Sequence, residues 1–141
     1  MFDKHTDSQT RLEQWRDIRK HCKTEQEILE SFASIKVRSR YLDYYTPSDW
    51  YNPFEIVEHG FFCTTGISLL LYYTLQNMSY IDTELTEWKV ISNHITGQDG
   101  AVFCMGDTYY NVVPGKVCLK EDLDQHCIFL KDLGKIDLPK I

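Results

Sequence analysis

The sequence predicts an α+β domain, with N-terminal helices and a buried central helix packed on a small antiparallel sheet. Three observations carry this expectation. Apolar residues recur at helical spacing up to Val37 and again over 63–78. Short alternating segments separated by glycine-containing turns then run over 88–119. The length of 141 residues suits one substantial core and is too short for two comfortable ones. A single domain is expected over 1–141, with a helical part at 1–47, a cysteine-led helix and sheet at 48–120, and a tail at 121–141.

Leu12, Trp15, Ile18 and Cys22 form one apolar stripe, which makes 8–22 an amphipathic helix. Thr24-Glu25-Gln26-Glu27 reads as a capping box opening a second helix, with Ile28, Leu29, Phe32, Ile35 and Val37 facing inward. The aromatic and polar stretch 41–49 contains Pro47, so the second helix ends before it and the chain turns. Pro53 suits the first turn of a short helix through Glu58, and Gly60 suits its end. Over 63–78, Ile67, Leu70, Leu71, Thr74, Leu75 and Met78 share one face that Leu69, Tyr72 and Tyr73 widen, the pattern of a largely buried helix. Strands are expected at 88–96, 101–105, 108–113 and 116–119, with a hairpin at Gly106-Asp107 and a turn at Pro114-Gly115. The tail is acidic from Glu121 and then weakly apolar at Ile128, Phe129 and Leu130, and reads as a short helix or an extended segment on the body.

Composition narrows the function classes. Hydrophobic content of 43% with 26% charged and 13% aromatic residues is that of a folded soluble domain. A formal charge of −6 opposes binding to a nucleic-acid backbone, which needs clustered cations. Arg11, Arg16, Arg19, Lys20 and Lys23 do cluster, but Glu13, Asp17 and Glu25 interrupt them, so they read as a solvated helix face. Five widely spaced cysteines without a CxxC pair point to reduced thiols and a cytoplasmic protein. The start lacks the apolar core of a secretory signal, and no stretch approaches a membrane span of roughly 20 apolar residues.

Cys63 is the candidate nucleophile, because unpaired amides and the helix dipole at a helix start stabilise a thiolate. Its context, with Trp50, Pro53, Glu55 and Gly60 before it and Ile67, Leu70 and Leu71 after it, resembles the transglutaminase-like branch of the papain-like fold over residues 48–116. The resemblance implies Cys63 as the ancestral nucleophile, a histidine opening a following strand as base, and an aspartate ending the next strand. Here Gly100 stands where the base is implied and Val113 where the acid is implied, so the pattern is degenerate. Phe62, Thr64 and Thr65 likewise replace the acidic residues usual beside the family's cysteine. His94 is the only histidine in the sheet region and the one available substitute base, with Asn111 or Asp107 to orient it. Against this stands the reading of Cys63 as a small buried hydrophobe on the apolar face, four residues before Ile67.

Other constellations are weaker. Cys104, Cys118, His126 and Cys127 lack zinc-site spacing, and Glu121, Asp122 and Asp124 lack the pattern of a calcium loop, so neither a metal nor a cofactor is expected. The aromatic group Tyr41, Tyr44, Tyr45, Trp50, Tyr51 and Phe54 is dense for a polar connection, and either covers the central helix or forms a protein interface. The sequence therefore favours a small acidic protein that binds another protein through residues such as Tyr44, Tyr45, Trp50 and Tyr51. Its size and composition would suit a viral or phage accessory factor. The alternative is a cysteine hydrolase or acyltransferase using Cys63, His94 and Asn111.

Overall fold

The structure is a computed structural model that describes residues 2–3 and 5–140. Helix α1 (Ser8–His21) starts where Asp7 accepts the Thr10 amide proton at 2.8 Å. Trp15 is its one buried residue, and its indole N–H donates to Thr74 Oγ1 at 3.0 Å. The basic cluster on this helix divides in two. Arg16, Lys20 and Lys23 are exposed, whereas Arg11 and Arg19 are half-buried. Arg11 donates to the carbonyls of Val57 at 2.7 Å and Glu58 at 2.6 Å, and the Arg19 guanidinium lies 3.9 Å above the Trp15 ring.

Helix α2 (Glu25–Ala33) buries Ile28, Leu29 and Phe32. Thr24 Oγ1 accepts from the Glu27 amide at 3.1 Å, while the Glu27 carboxylate accepts from the Lys23 amide at 3.3 Å, so the capping box closes one residue early. The helix is shorter than its apolar spacing predicts. Ile35 is buried beyond its end, and the Arg38 amide donates to the Phe62 carbonyl at 2.8 Å, which draws the chain out of the helix toward the start of the central one.

Helix α3 (Pro53–His59) has the full set of local signals. Asn52 and Glu55 form a reciprocal capping box, Pro53 occupies the first turn, and Gly60 ends it at φ 73° in the left-handed region. Arg11 then satisfies carbonyls at its C-terminal end.

Helix α4 (Thr64–Asn77) is central, with every residue from Thr64 to Leu75 buried. Helices α2 and α3 and the sheet all pack on it. A helix enclosed on all sides is apolar around most of its circumference, as this sequence is.

The sheet is antiparallel throughout, in the order β4-β3-β2-β1-β5, with β1 (Thr86–Asn93), β2 (Asp99–Met105), β3 (Thr108–Val113), β4 (Lys116–Leu119) and β5 (Cys127–Gly134). Trp88, Ala101, Phe103 and Tyr110 belong to the core around α4, and Phe103 stacks on Tyr110 at 4.9 Å. Ile91, Val102, Cys104, Tyr109, Val112, Cys118 and Cys127 form a second cluster, against which Leu123 of a 3₁₀ segment (Lys120–Gln125) packs.

The strand limits differ from the sequence expectation: β1 and β2 each open two residues early, at Thr86 and Asp99. Strand β1 ends at Asn93 because Asn93 Oδ1 accepts the Ile95 amide proton at 2.8 Å, an Asx turn that breaks the ladder three residues before Thr96. The tail supplies a fifth strand, β5, beside β1. Its register shifts twice, and such irregularities blunt an edge whose Ile128, Phe129 and Leu130 are exposed.

Gly66 is a point of close approach in α4. A Cβ added there would lie 1.7 Å from the Phe61 carbonyl oxygen, which is backbone and cannot rotate away. Gly66→Ala is expected to lower stability by about 3 kcal/mol or more in urea unfolding, the upper range for overpacking; an unchanged midpoint would show that the segment before α4 yields freely.

Candidate functional site

The start of α4 is where a thiol chemistry would be built. Cys63 is the N-cap, with extended backbone at φ −75° and ψ 172°. Its sulfur accepts the amide proton of Gly66 at 3.4 Å and that of Leu42 at 3.3 Å, and the residue is only 2% exposed. The thiol thus fills the role that Ser, Thr, Asp or Asn usually takes at a helix start, satisfying one of the unpaired amides. Its neighbours Leu42 and Phe62 are buried as well.

Gln98 bridges the helix start and the segment before α3. Its Oε1 accepts from the Thr64 amide at 3.1 Å and from the Thr64 hydroxyl at 3.2 Å, and its Nε2 donates to the Arg38 carbonyl at 2.9 Å. One amide that an oxyanion at the helix start would need is therefore already taken by a side chain.

Gly100, the position at which the resemblance implies a base, faces the first residues of α4. A Cβ there would come within 2.6 Å of Thr64 Cβ and 3.3 Å of the Thr65 amide nitrogen. An imidazole would collide with the helix unless β2 moved outward. The adjacent Ala101 amide donates to Thr65 Oγ1 at 3.0 Å and holds β2 in that close position. Val113, where the acid is implied, is half-buried at the end of β3 beside the second cluster.

Among the described residues no hydrogen bond joins the three residues of the alternative catalytic set. Asn111 does reach the helix start, in left-handed backbone at φ 63°, and its amide donates to the Thr64 carbonyl at 3.1 Å and to Ser68 Oγ at 2.7 Å. His94 lies exposed in the turn after β1, with its backbone N–H on the His126 carbonyl at 2.8 Å, and makes no hydrogen bond to Cys63 or Asn111 among the described residues. It is a turn residue rather than the strand residue that the alternation predicts, because the Asx turn at Asn93 has already ended β1. Asp107 is exposed in the β2–β3 hairpin, where its carbonyl accepts from the Lys120 amide at 2.8 Å.

The other thiols are packing residues. Burial pushes the thiols of Cys104, Cys118 and Cys127 up from their ordinary pKa, so all three hold their protons more firmly than free cysteine. No three His, Cys, Asp or Glu side chains among the described residues are placed to hold a metal ion.

The aromatic connection between α2 and α3 splits into two kinds of residue. Tyr44 and Trp50 are half-buried against the core, with Trp50 5.1 Å from Trp88 and its indole N–H on the Asp43 carbonyl at 2.8 Å. Tyr45 and Tyr51 are exposed at 46% and 41%, alongside exposed Tyr41 and Phe54. Tyr51 stacks on Phe61 at 4.8 Å, and Lys131 of β5 lies 5.6 Å from the Tyr45 ring centroid. The covering reading thus fits Tyr44 and Trp50, which pack on the core, while Tyr45 and Tyr51 are left exposed.

No protein-family model matches the chain, and no curated protein matches it. No helix among the described residues is long and apolar enough to cross a membrane. Sequence reasoning missed Gln98, whose role depends on a contact with a residue 34 positions earlier; the only local hint was the glycine two residues after it, which marks a close approach.

Gln98→Ala would strip the Thr64 amide of its acceptor at a partly buried site. The expected loss is about 1–2 kcal/mol in chemical denaturation, the usual cost of removing a helix cap; Gln98→Glu keeps the acceptor but sets a carboxylate oxygen against the Arg38 carbonyl, so it is expected to recover only part of it.

Proposed function

We propose that this chain is a non-catalytic protein-binding domain on a degenerate transglutaminase-like scaffold. The observation that carries the reading is the condition of the helix start, where Cys63 is buried as a cap and Gln98 occupies the Thr64 amide. Thiol catalysis needs a base within hydrogen-bond reach and open donors for an oxyanion. Gly100 against Thr64 leaves no room for such a base at the position where the resemblance implies one. Exposed Tyr45 and Tyr51 supply the contact instead, since tyrosines bury large area with few rotatable bonds and favour interfaces. A reducing, cytoplasmic setting fits five cysteines that are all unpaired.

One feature favours the alternative of a thiol hydrolase or acyltransferase: two amide protons converge on the Cys63 sulfur, an arrangement that also suits a thiolate. Alkylation against pH, followed by mass spectrometry in the native protein and in His94→Ala, separates the two readings. Half-buried Cys22 is expected to label first, and Cys63 slowly and equally in both proteins. Cys104, Cys118 and Cys127 should be slow as well, because a raised pKa leaves less thiolate at any pH below it. Rapid labelling of Cys63 well below pH ~8.5 that slows in His94→Ala would establish the enzyme reading.

The binding reading has its own test. In crosslinking from the native host, a partner captured by the wild-type chain should be lost, by tenfold or more, in the Tyr45→Ser/Tyr51→Ser double variant, with thermal unfolding still cooperative and only slightly lowered, since both side chains are exposed and the main loss is the Tyr51–Phe61 stack. Equal capture by both would remove these tyrosines from the interface.

A further inference from the structure

A cleft of about 280 Å³ opens between α2, the first turns of α4 and the β3–β4 hairpin. Its walls include Leu29, Phe32, Ile67, Leu71 and Val112, all buried residues of the body. The hairpin turn is held over it by the Gln26 amide, which donates to the Gly115 carbonyl at 2.9 Å. Cys63 does not line it, so it is separate from the thiol at the helix start.

The charged residues that line the cleft have one sign; the Glu30 carboxylate of α2 accepts from the Gln26 amide at 3.1 Å and does not line it. Lys36 and Lys116 line it, both exposed, and neither has a carboxylate within 4.0 Å among the described residues. No aspartate or glutamate lines it, although the chain as a whole carries −6. An apolar recess bearing only cations, in an acidic protein, discriminates by charge as well as by polarity.

We infer that this cleft binds a small amphipathic anion, a medium-chain aliphatic carboxylate, with its chain on the Leu71 and Ile67 wall and its head at Lys36 and Lys116. The volume lies at the lower limit of small-molecule sites, about 300 Å³, which suits one flexible chain better than a fused ring system. Burial of the methylene groups supplies the driving force. The carboxylate stays near the surface beside two exposed ammonium groups, so it avoids the desolvation that a deep ion pair would incur. Asn111 forms part of the polar wall with its amide protons already donated to Thr64 and Ser68, and therefore competes little for the head group.

The experiment is a titration of the 141-residue chain with monomeric decanoate, read by amide chemical shifts, beside decyltrimethylammonium and a capped Glu-Leu-Glu peptide. Decanoate is expected to saturate one site, with the largest shifts at Asn111, Val112 and Gly115. Lys36→Glu/Lys116→Glu should weaken it about tenfold, with the fold intact because both side chains are exposed. The ammonium amphiphile and the peptide should leave these amides unmoved. Absence of saturable shifts, equal binding of the ammonium compound, unchanged affinity in the double variant, or tighter binding of the peptide would each overturn the assignment.

Discussion

Every residue from Thr64 to Leu75 is buried, and among them are four short hydroxyl side chains that water cannot reach. A buried hydroxyl without a partner costs about 1–3 kcal/mol; Thr74 donates to the Leu70 carbonyl of its own helix at 2.7 Å, and all four are also bonded to a group on another element. Thr64 bonds Gln98 of the β1–β2 turn, Thr65 the Ala101 amide of β2, Ser68 the Asn111 side chain of β3, and Thr74 the Trp15 indole of α1. The packing around α4 is set in place by this requirement. Non-directional burial of Leu69, Leu70 and Leu75 would tolerate some rotation of the helix, whereas the hydroxyl contacts favour one azimuth.

The same requirement shapes the helix start. A buried N-terminus has amides that must be satisfied without solvent. The Cys63 sulfur takes the Gly66 amide and the Gln98 carboxamide takes that of Thr64. Oxyanion chemistry depends on such donors being vacant until a substrate arrives. Here they serve stability, and Gly100 lets β2 approach the helix at a distance that excludes any larger side chain. The structural demands of the buried helix and the demands of a catalytic centre compete for the same atoms.

The periphery follows a different logic. Exposed Tyr45 and Tyr51 project from a connection whose Tyr44 and Trp50 are tied to the core, so the exposed rings rest on an anchored base. Strand β5 carries three exposed apolar residues, but its two register shifts interrupt the regular edge that another strand would need. The Lys89–Asp132 ion pair at 3.0 Å fastens this strand to β1. The hydrogen bond from Lys89 holds the Asp132 carboxylate below its ordinary pKa, so that contribution persists above the unfolded value of 3.8 and fades as pH falls through the lowered one.

By itself the sequence determined what is encoded locally. Periodicity identified α1 and α4, the Asn52-Pro53 and Gly60 signals bounded α3, and the Gly106-Asp107 and Pro114-Gly115 turns delimited β3 and β4. It also located Cys63 at a helix start, since that too is a local fact. Tertiary structure alone decided the pairing of β5 with β1, the exposure of His94, the division of the tyrosines into anchored and exposed, and the occupation of the helix start by Gln98. Each of these depends on contacts between residues far apart in the chain, where local propensity is weak and burial with hydrogen-bond satisfaction chooses the outcome.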